Sequence, residues 1–307
     1  MLLCAALLLS SCSAASEQTP SEDAVRFTDA LGREVSVKKS PSRVCALIGS
    51  FAEVWQLAGG SICAAAEDAW EDFGLELEGA VNIGGAHSPS AELVISSRPE
   101  LVLASASTAA DVSMCGLLEN AGITVVYFDV DGFSDYLAML RICTEITGRE
   151  DLYEKNGMEI SRRIEKLLDE ASDASISGEE RKILLLRVSS GTVKAKDSKS
   201  TVLGTMLCEL GCINIADSEA GLLETLSVES VIKQDPYRIF AVTMGNDTKA
   251  AEDNLWRMLE ENPAWGGLRA VKEGRVHVMD RALFNLKPNV RWADAYEILA
   301  QILYGER

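Results

Sequence analysis

Histidine is nearly absent from this 307-residue chain: His87 and His277 are the only two, and they lie far apart in sequence. A site for a free zinc or manganese ion needs about three convergent histidines with carboxylates, so such a site has little to build on here. Basic residues are also scarce, with 29 Lys plus Arg against 47 Asp plus Glu and a net charge of −18. Phosphate backbones are held by a basic footprint, which excludes nucleic acid as a partner. The catalytic signatures are missing too. There is no Gly-x-Ser-x-Gly elbow, no His-Glu-x-x-His, no glycine-rich phosphate loop with lysine and no Gly-x-Gly-x-x-Gly opening a helix. Beyond the first dozen residues no apolar run reaches the ~18–20 residues that span a bilayer. Hydrophobic residues nevertheless make up 47% and charged residues 25%, the composition of a packed globular body. Binding, rather than reaction, is the function class that survives.

The first residues, MLLCAALLL, form an apolar stretch of signal-peptide length, with no Lys or Arg before it. Leu9-Ser10-Ser11-Cys12 follows and resembles the bacterial lipobox, in which the cysteine is lipidated and becomes the new N-terminus. Residues 13–23 are rich in Ser, Ala and Glu without periodicity, as in a flexible tether. Residues 1–12 are therefore expected to export the protein and anchor it to the extracytoplasmic face of the cell membrane through Cys12. The remaining cysteines, Cys45, Cys63, Cys115, Cys143, Cys208 and Cys212, are scattered and lack the paired spacing of a zinc site or cluster. They read as free thiols.

Short apolar strands alternate with helical segments twice. The first series has an entry hairpin within 27–37, strands at 43–48, 62–66, 101–104 and 124–128, and a helix at 50–58 closed by Gly59-Gly60. The second has strands at 183–188, 239–243 and 276–279 with a helix near 202–210. Such alternation predicts an α/β fold of two Rossmann-like lobes with mostly parallel sheets. Between them Ile160, Ile164, Leu167, Leu168 and Ala171 recur at helical spacing among charges, which predicts one long connecting helix. The halves also share a ten-residue pattern, Ser-x-Glu-x-Val-Ile-x-x-x-Pro, at Ser90–Pro99 and Ser227–Pro236. In each copy Ser caps a helix, Glu lies in its first turn, Val and Ile face the core and Pro ends it before a strand.

These features, with Thr28-Asp29-Ala30-Leu31-Gly32-Arg33-Glu34-Val35, Asn82-Ile83-Gly84-Gly85, Arg98-Pro99-Glu100-Leu101-Val102-Leu103 and the run from Asn262-Pro263-Ala264-Trp265 to Gly274-Arg275-Val276, resemble a known family. It is the substrate-binding proteins of ABC importers for iron chelates, haem and vitamin B12, whose two lobes are joined by a single long helix. The resemblance implies an N-terminal lobe at 24–143, the connecting helix at 144–177, and a C-terminal lobe at 178–307 whose last helix, near 290–303, packs back on the body. The resemblance implies capture of a metal chelate in a cleft, with modest lobe movement, and delivery to a membrane permease driven by a cytoplasmic ATPase. It further implies that Glu92 and Glu229 dock on the permease, one per lobe. No cofactor of its own and a monomeric state are expected. The rival readings are a binding protein for free zinc or manganese and, from the six thiols, a metal-cluster oxidoreductase component.

In open α/β sheets ligands lie outside the carboxyl ends of the strands. The expected solute-binding residues therefore sit on the loops after strands: Ser50, Phe51, Trp70 and His87 in the first lobe, and Arg187, Lys194, Lys196, Lys199, Lys287 and Arg291 in the second. Phe51 and Trp70 would stack on a ring or cover a chelate, His87 would supply an axial nitrogen to a haem, and Arg187 or Arg291 would pair with carboxylates. Three lysines within six residues, at 194, 196 and 199, stand out in so acidic a chain, because an anionic solute would need a local basic patch. A ferric siderophore or haem is expected first, a corrinoid second.

Overall fold

The computed structural model describes residues 23–173, 176–245 and 247–305. The expected signal segment, Cys12 and nearly all of the tether lie outside them. The chain enters as an antiparallel hairpin, β1 (Ala24–Thr28) and β2 (Glu34–Lys38). It then alternates through β3 (Val44–Ala46), α1 (Gly49–Leu57), β4 (Ala64–Ala65), α2 (Asp68–Glu71), β5 (Val81–Asn82), α3 (Ala91–Ser96), β6 (Leu101–Ser105), α4 (Ala109–Asn120), β7 (Thr124–Phe128) and α5 (Phe133–Thr147). The parallel sheet has the order β5-β4-β3-β6-β7. Every residue of β6 is buried, as expected of a central parallel strand covered by helices on both faces.

The connecting helix starts later than the expected bound at 144. Gly148 adopts a left-handed φ of 72° and ends α5, so residues 144–147 belong to the first lobe and not to the rod. The rod itself runs through α6 (Glu150–Tyr153), a π-helical turn (Glu154–Met158) and α7 (Glu159–Asp173). The Tyr136 hydroxyl donates to the Asn156 carbonyl at 2.7 Å, and the Asn156 amide donates to the Leu57 carbonyl at 2.8 Å. The extra residue in that turn brings Gly157 against Leu137, where a Cβ would sit 3.0 Å from the leucine methyl.

The second lobe repeats the first. Its elements are β8 (Lys182–Val188), β9 (Val193–Ala195), α8 (Val202–Glu209), β10 (Ile213–Asn214), α9 (Ala220–Glu224), α10 (Val228–Gln234), β11 (Arg238–Thr243), α11 (Thr248–Glu261), α12 (Pro263–Gly266), α13 (Arg269–Lys272), β12 (Val276–Met279), α14 (Arg281–Phe284) and α15 (Trp292–Tyr304). The parallel strands run in the order β10-β8-β11-β12, and β9 pairs antiparallel with the end of β8. In the first lobe β3 lies between β4 and β6, and in the second β8 lies between β10 and β11, so the strand order reverses at the carboxyl ends of β3 and β8 and places a switch point there.

Packing is asymmetric. One face of each sheet has its own core, with Val102, Val125 and Tyr127 in the first lobe and Leu184, Ile239 and Trp265 in the second. The opposite faces share a single core that includes Trp55, Tyr136, Ile160, Leu185, Leu203, Trp292 and Tyr296. The last helix packs on the rod: Arg163 of α7 pairs with Asp294 and Glu297 of α15 at 2.9 and 2.8 Å. Burying aromatic side chains from both lobes in one cluster opposes their separation on that side.

Candidate functional site

Helix α1 leaves the switch point of the first lobe with no side-chain cap at Ile48. The missing cap is supplied from a distance: Asp68 Oδ2 accepts from the Gly49 amide at 2.9 Å. Only glycine permits this approach, since a Cβ at position 49 would lie 2.6 Å from the Ala69 nitrogen. Beside it Asp111, wholly buried, accepts from the Ser105 amide at 2.9 Å while its other oxygen has no partner. Burial, reinforced by the Asp68 charge, pushes the Asp111 carboxyl up to about 7. Burial also raises Asp68, against the Gly49 hydrogen bond and the nearby His87. The floor of the first lobe is therefore acidic.

The corresponding end of the second lobe is basic. Arg187 near the end of β8 lies directly across from Lys194 of β9 in the antiparallel register. Burial lowers the Arg187 pKa, and its Nε is buried without a hydrogen-bond partner. Burial, together with the charge of Arg187, lowers Lys196 as well. Like charges placed opposite one another on neighbouring strands repel unless an anion lies between them. The lysine loop is also built rather than loose. Asp197 Oδ1 accepts from the Lys199 and Ser200 amides, both at 2.8 Å, and Asp217 accepts from the Ser198 amide at 2.8 Å. Gly204 lets the start of α8 press onto this loop, where a Cβ would sit 2.8 Å from Ser198 Cα. Burial lowers Lys287 too, while Asp131 and Asp129 of the first lobe raise it.

The expected solute-binding residues do not all reach the cleft. Phe51 is 1% exposed and lies edge-on to Phe128 in the shared core, 6.1 Å between ring centroids. That is a correction to its expected stacking role: as the third residue of α1 it points into the lobe, so no ring face is left for a solute. Ser50 is buried, and its carbonyl accepts from Asn289 at 3.1 Å. Trp70 is half-buried against the shared core, His87 is exposed, and Lys194, Lys199 and Arg291 are exposed. Arg187, Lys196 and Lys287 are half-buried. His277 stacks on Phe240 in the second-lobe sheet at 5.1 Å.

Glu92 and Glu229 occupy matching places. Both are exposed in the first turn of their helices, behind caps in which Ser90 accepts from the Leu93 amide and Ser227 from the Ser230 amide. The match extends past the helices, where Arg98 and Asp235 take left-handed φ values of 49° and 45° immediately before Pro99 and Pro236. Three residues that sequence reasoning missed join the lobes: Asp72, Arg281 and Asn289. Arg281 meets Asp72 across a separation of 209 residues, so no local pattern signals the pair. Among the described residues no helix is long and apolar enough to cross a membrane, and no group of three or more His, Cys, Asp or Glu could hold a metal ion. The cysteines from Cys45 to Cys212 are free thiols.

Among curated proteins the chain is similar to an uncharacterised ABC transporter substrate-binding lipoprotein, YvrC, of Bacillus subtilis. The two are 26% identical over 99% of this chain and 96% of that one. It is also 25% identical to the Fe(3+)-citrate-binding protein YfmC of the same organism, over 92% of this chain and 88% of that protein. The solved structure of a periplasmic haem-binding protein from Pseudomonas aeruginosa shares the fold, with a TM-score of 0.70 at 22% identity over 87% of this chain and 94% of that one. The two parallel-sheet lobes and the joining helix fall within or border residues 49–283, which match the periplasmic binding protein family, and to that family the chain belongs.

Proposed function

We propose that this chain is the extracytoplasmic solute-binding lipoprotein of an ABC importer, and that its cargo is an anionic metal chelate: a ferric siderophore or haem first, a corrinoid second. The observation that carries the cargo class is the basic wall of the second lobe. Arg187, Lys194 and Lys196 stand together at a switch point in a chain of net charge −18, and no carboxylate pairs with Arg187 among the described residues. A long-range field of that sign would repel an anion, so a local cluster must hold it. The names of the relatives support the same reading. Capture does not need a catalytic group, and ATP hydrolysis falls to the cytoplasmic partner.

In this reading Cys12 carries the lipid anchor, Glu92 and Glu229 meet the permease from the two lobes, and the protein acts as a monomer. His87, exposed beside the acidic floor, is the residue placed to offer a nitrogen if the cargo is haem. The test starts with mass spectrometry of solute co-purified from the native host. A variant replacing Lys194, Lys196 and Lys199 together with Gln should then bind that solute at least tenfold more weakly. An affinity within twofold of the parent would remove the basic wall from the site and with it the argument for an anionic cargo.

A further inference from the structure

The segment from Asp280 to Trp292 leaves the second lobe after β12 and runs along the first. Arg281 grips Asp72 with two parallel hydrogen bonds of 2.6 and 2.9 Å, and their side chains are only 21% and 18% exposed. Eight residues on, the Asn289 amide donates to the Ser50 carbonyl at 3.1 Å and to Glu53 Oε2 at 2.5 Å. Asn289 is 1% exposed and holds a left-handed φ of 50°, a conformation that a residue other than glycine keeps only when its surroundings over-determine it. Between these anchors Lys287 faces Asp131 and Asp129 of the first lobe. After them Trp292 meets Phe133 edge-on at 6.0 Å.

All of these contacts lie on one side of the molecule. Phe51, Trp55, Phe133, Trp292 and Phe284 belong to the core that both lobes share. Helices α3 and α10 lie on the other side, where Val94 packs into the core of the first lobe alone and Val231 into that of the second alone. A paired, bidentate Arg–carboxylate contact that is largely removed from water is directional and resists shear in a way that apolar contact does not. Apolar surfaces alone would let the lobes slide.

We infer that the Asp280–Trp292 segment is a polar clamp that keeps the back of the cleft shut and serves as the pivot of lobe movement, so that the cleft opens only on the α3 and α10 side. The consequence is a direction of opening. Solute enters and leaves past the two helices that carry Glu92 and Glu229, and the clamp limits how far they separate. This inference concerns lobe mechanics and does not depend on which solute is carried.

The test is hydrogen exchange on the full chain without added solute, combined with small-angle scattering. Arg281→Asp places two carboxylates together. It should speed amide exchange at least tenfold in both 66–73 and 280–291 and enlarge the radius of gyration, while β6 and β11 exchange as before. The swap Asp72→Arg with Arg281→Asp restores the pair with reversed polarity and should bring both segments back to within about threefold of the parent. Asn289→Gly keeps the left-handed backbone and removes the cross-lobe amide. It should shift the same two segments in the same direction, and it carries the test alone if the charge variants fail to fold. Unchanged exchange in 66–73 in the folded variants, or a swap no better than the single change, overturns the clamp.

Discussion

Replacing Asp111 with Asn should change how the stability of this protein depends on pH. Asp111 is wholly buried at the carboxyl end of β6, and burial lifts its pKa from 3.8 to about 7. The neighbouring Asp68 charge adds to the rise, whereas the Tyr127 hydroxyl donates to the Asp111 backbone carbonyl and leaves the carboxyl group untouched. Because the folded pKa lies above the unfolded one, the contribution of this group is fully present below about pH 4 and is lost as pH rises toward 7. Over that window the unfolded chain has released a proton that the folded chain still holds. At about 1.4 kcal/mol per unit of pKa shift, the loss comes to roughly 3 kcal/mol between about pH 4 and pH 7. Asparagine can keep the Ser105 amide bond through its oxygen. Its NH2 group meets the surroundings that leave the second Asp111 oxygen without a partner, which adds a cost that does not vary with pH. Urea unfolding of both proteins across this range should therefore show the asparagine variant gaining on the parent by about 3 kcal/mol from acid to neutral pH, whatever the constant offset. Parallel stability curves would refute the reasoning, since they would mean that Asp111 titrates alike in both states.

Two further outcomes follow from the proposed function. Cys12→Ser should release the protein from the membrane fraction, because two or three acyl chains hold firmly where one holds marginally; identical partitioning of the two proteins would rule out the anchor. Replacing Glu92 and Glu229 together with Arg should abolish uptake in whole cells and leave solute affinity unchanged, since both side chains are exposed on helices that pack away from the shared core. Weakened solute binding in that double variant would make them cleft residues instead of docking residues.

The repeated elements of this fold were legible because their signals are local. Capping by Ser90 and Ser227, the helix stops before Pro99 and Pro236, and the all-buried strands Leu101–Ser105 and Arg238–Thr243 each depend on residues a few positions apart. The late start of the joining rod was half visible, in Gly148, but its left-handed φ is paired with packing of the Ser40 amide on the Ile146 carbonyl, which only the folded chain supplies. The site divides in the same way. The lysines of the 194–199 loop announce themselves by composition, yet the isolation of Arg187 depends on which strands become its neighbours. Phe51 stands in the first turn of a helix that the sequence predicts, but which way that turn faces is decided by the Asp68 cap on Gly49 and by Phe128, which take its ring into the core. The clamp between Arg281 and Asp72, and the buried carboxyl group of Asp111, have no sequence trace at all. Propensity and periodicity act over one or two turns of chain, whereas desolvation and ion pairing depend on distance in space, and that distance is set only when the two sheets and the helices between them have packed.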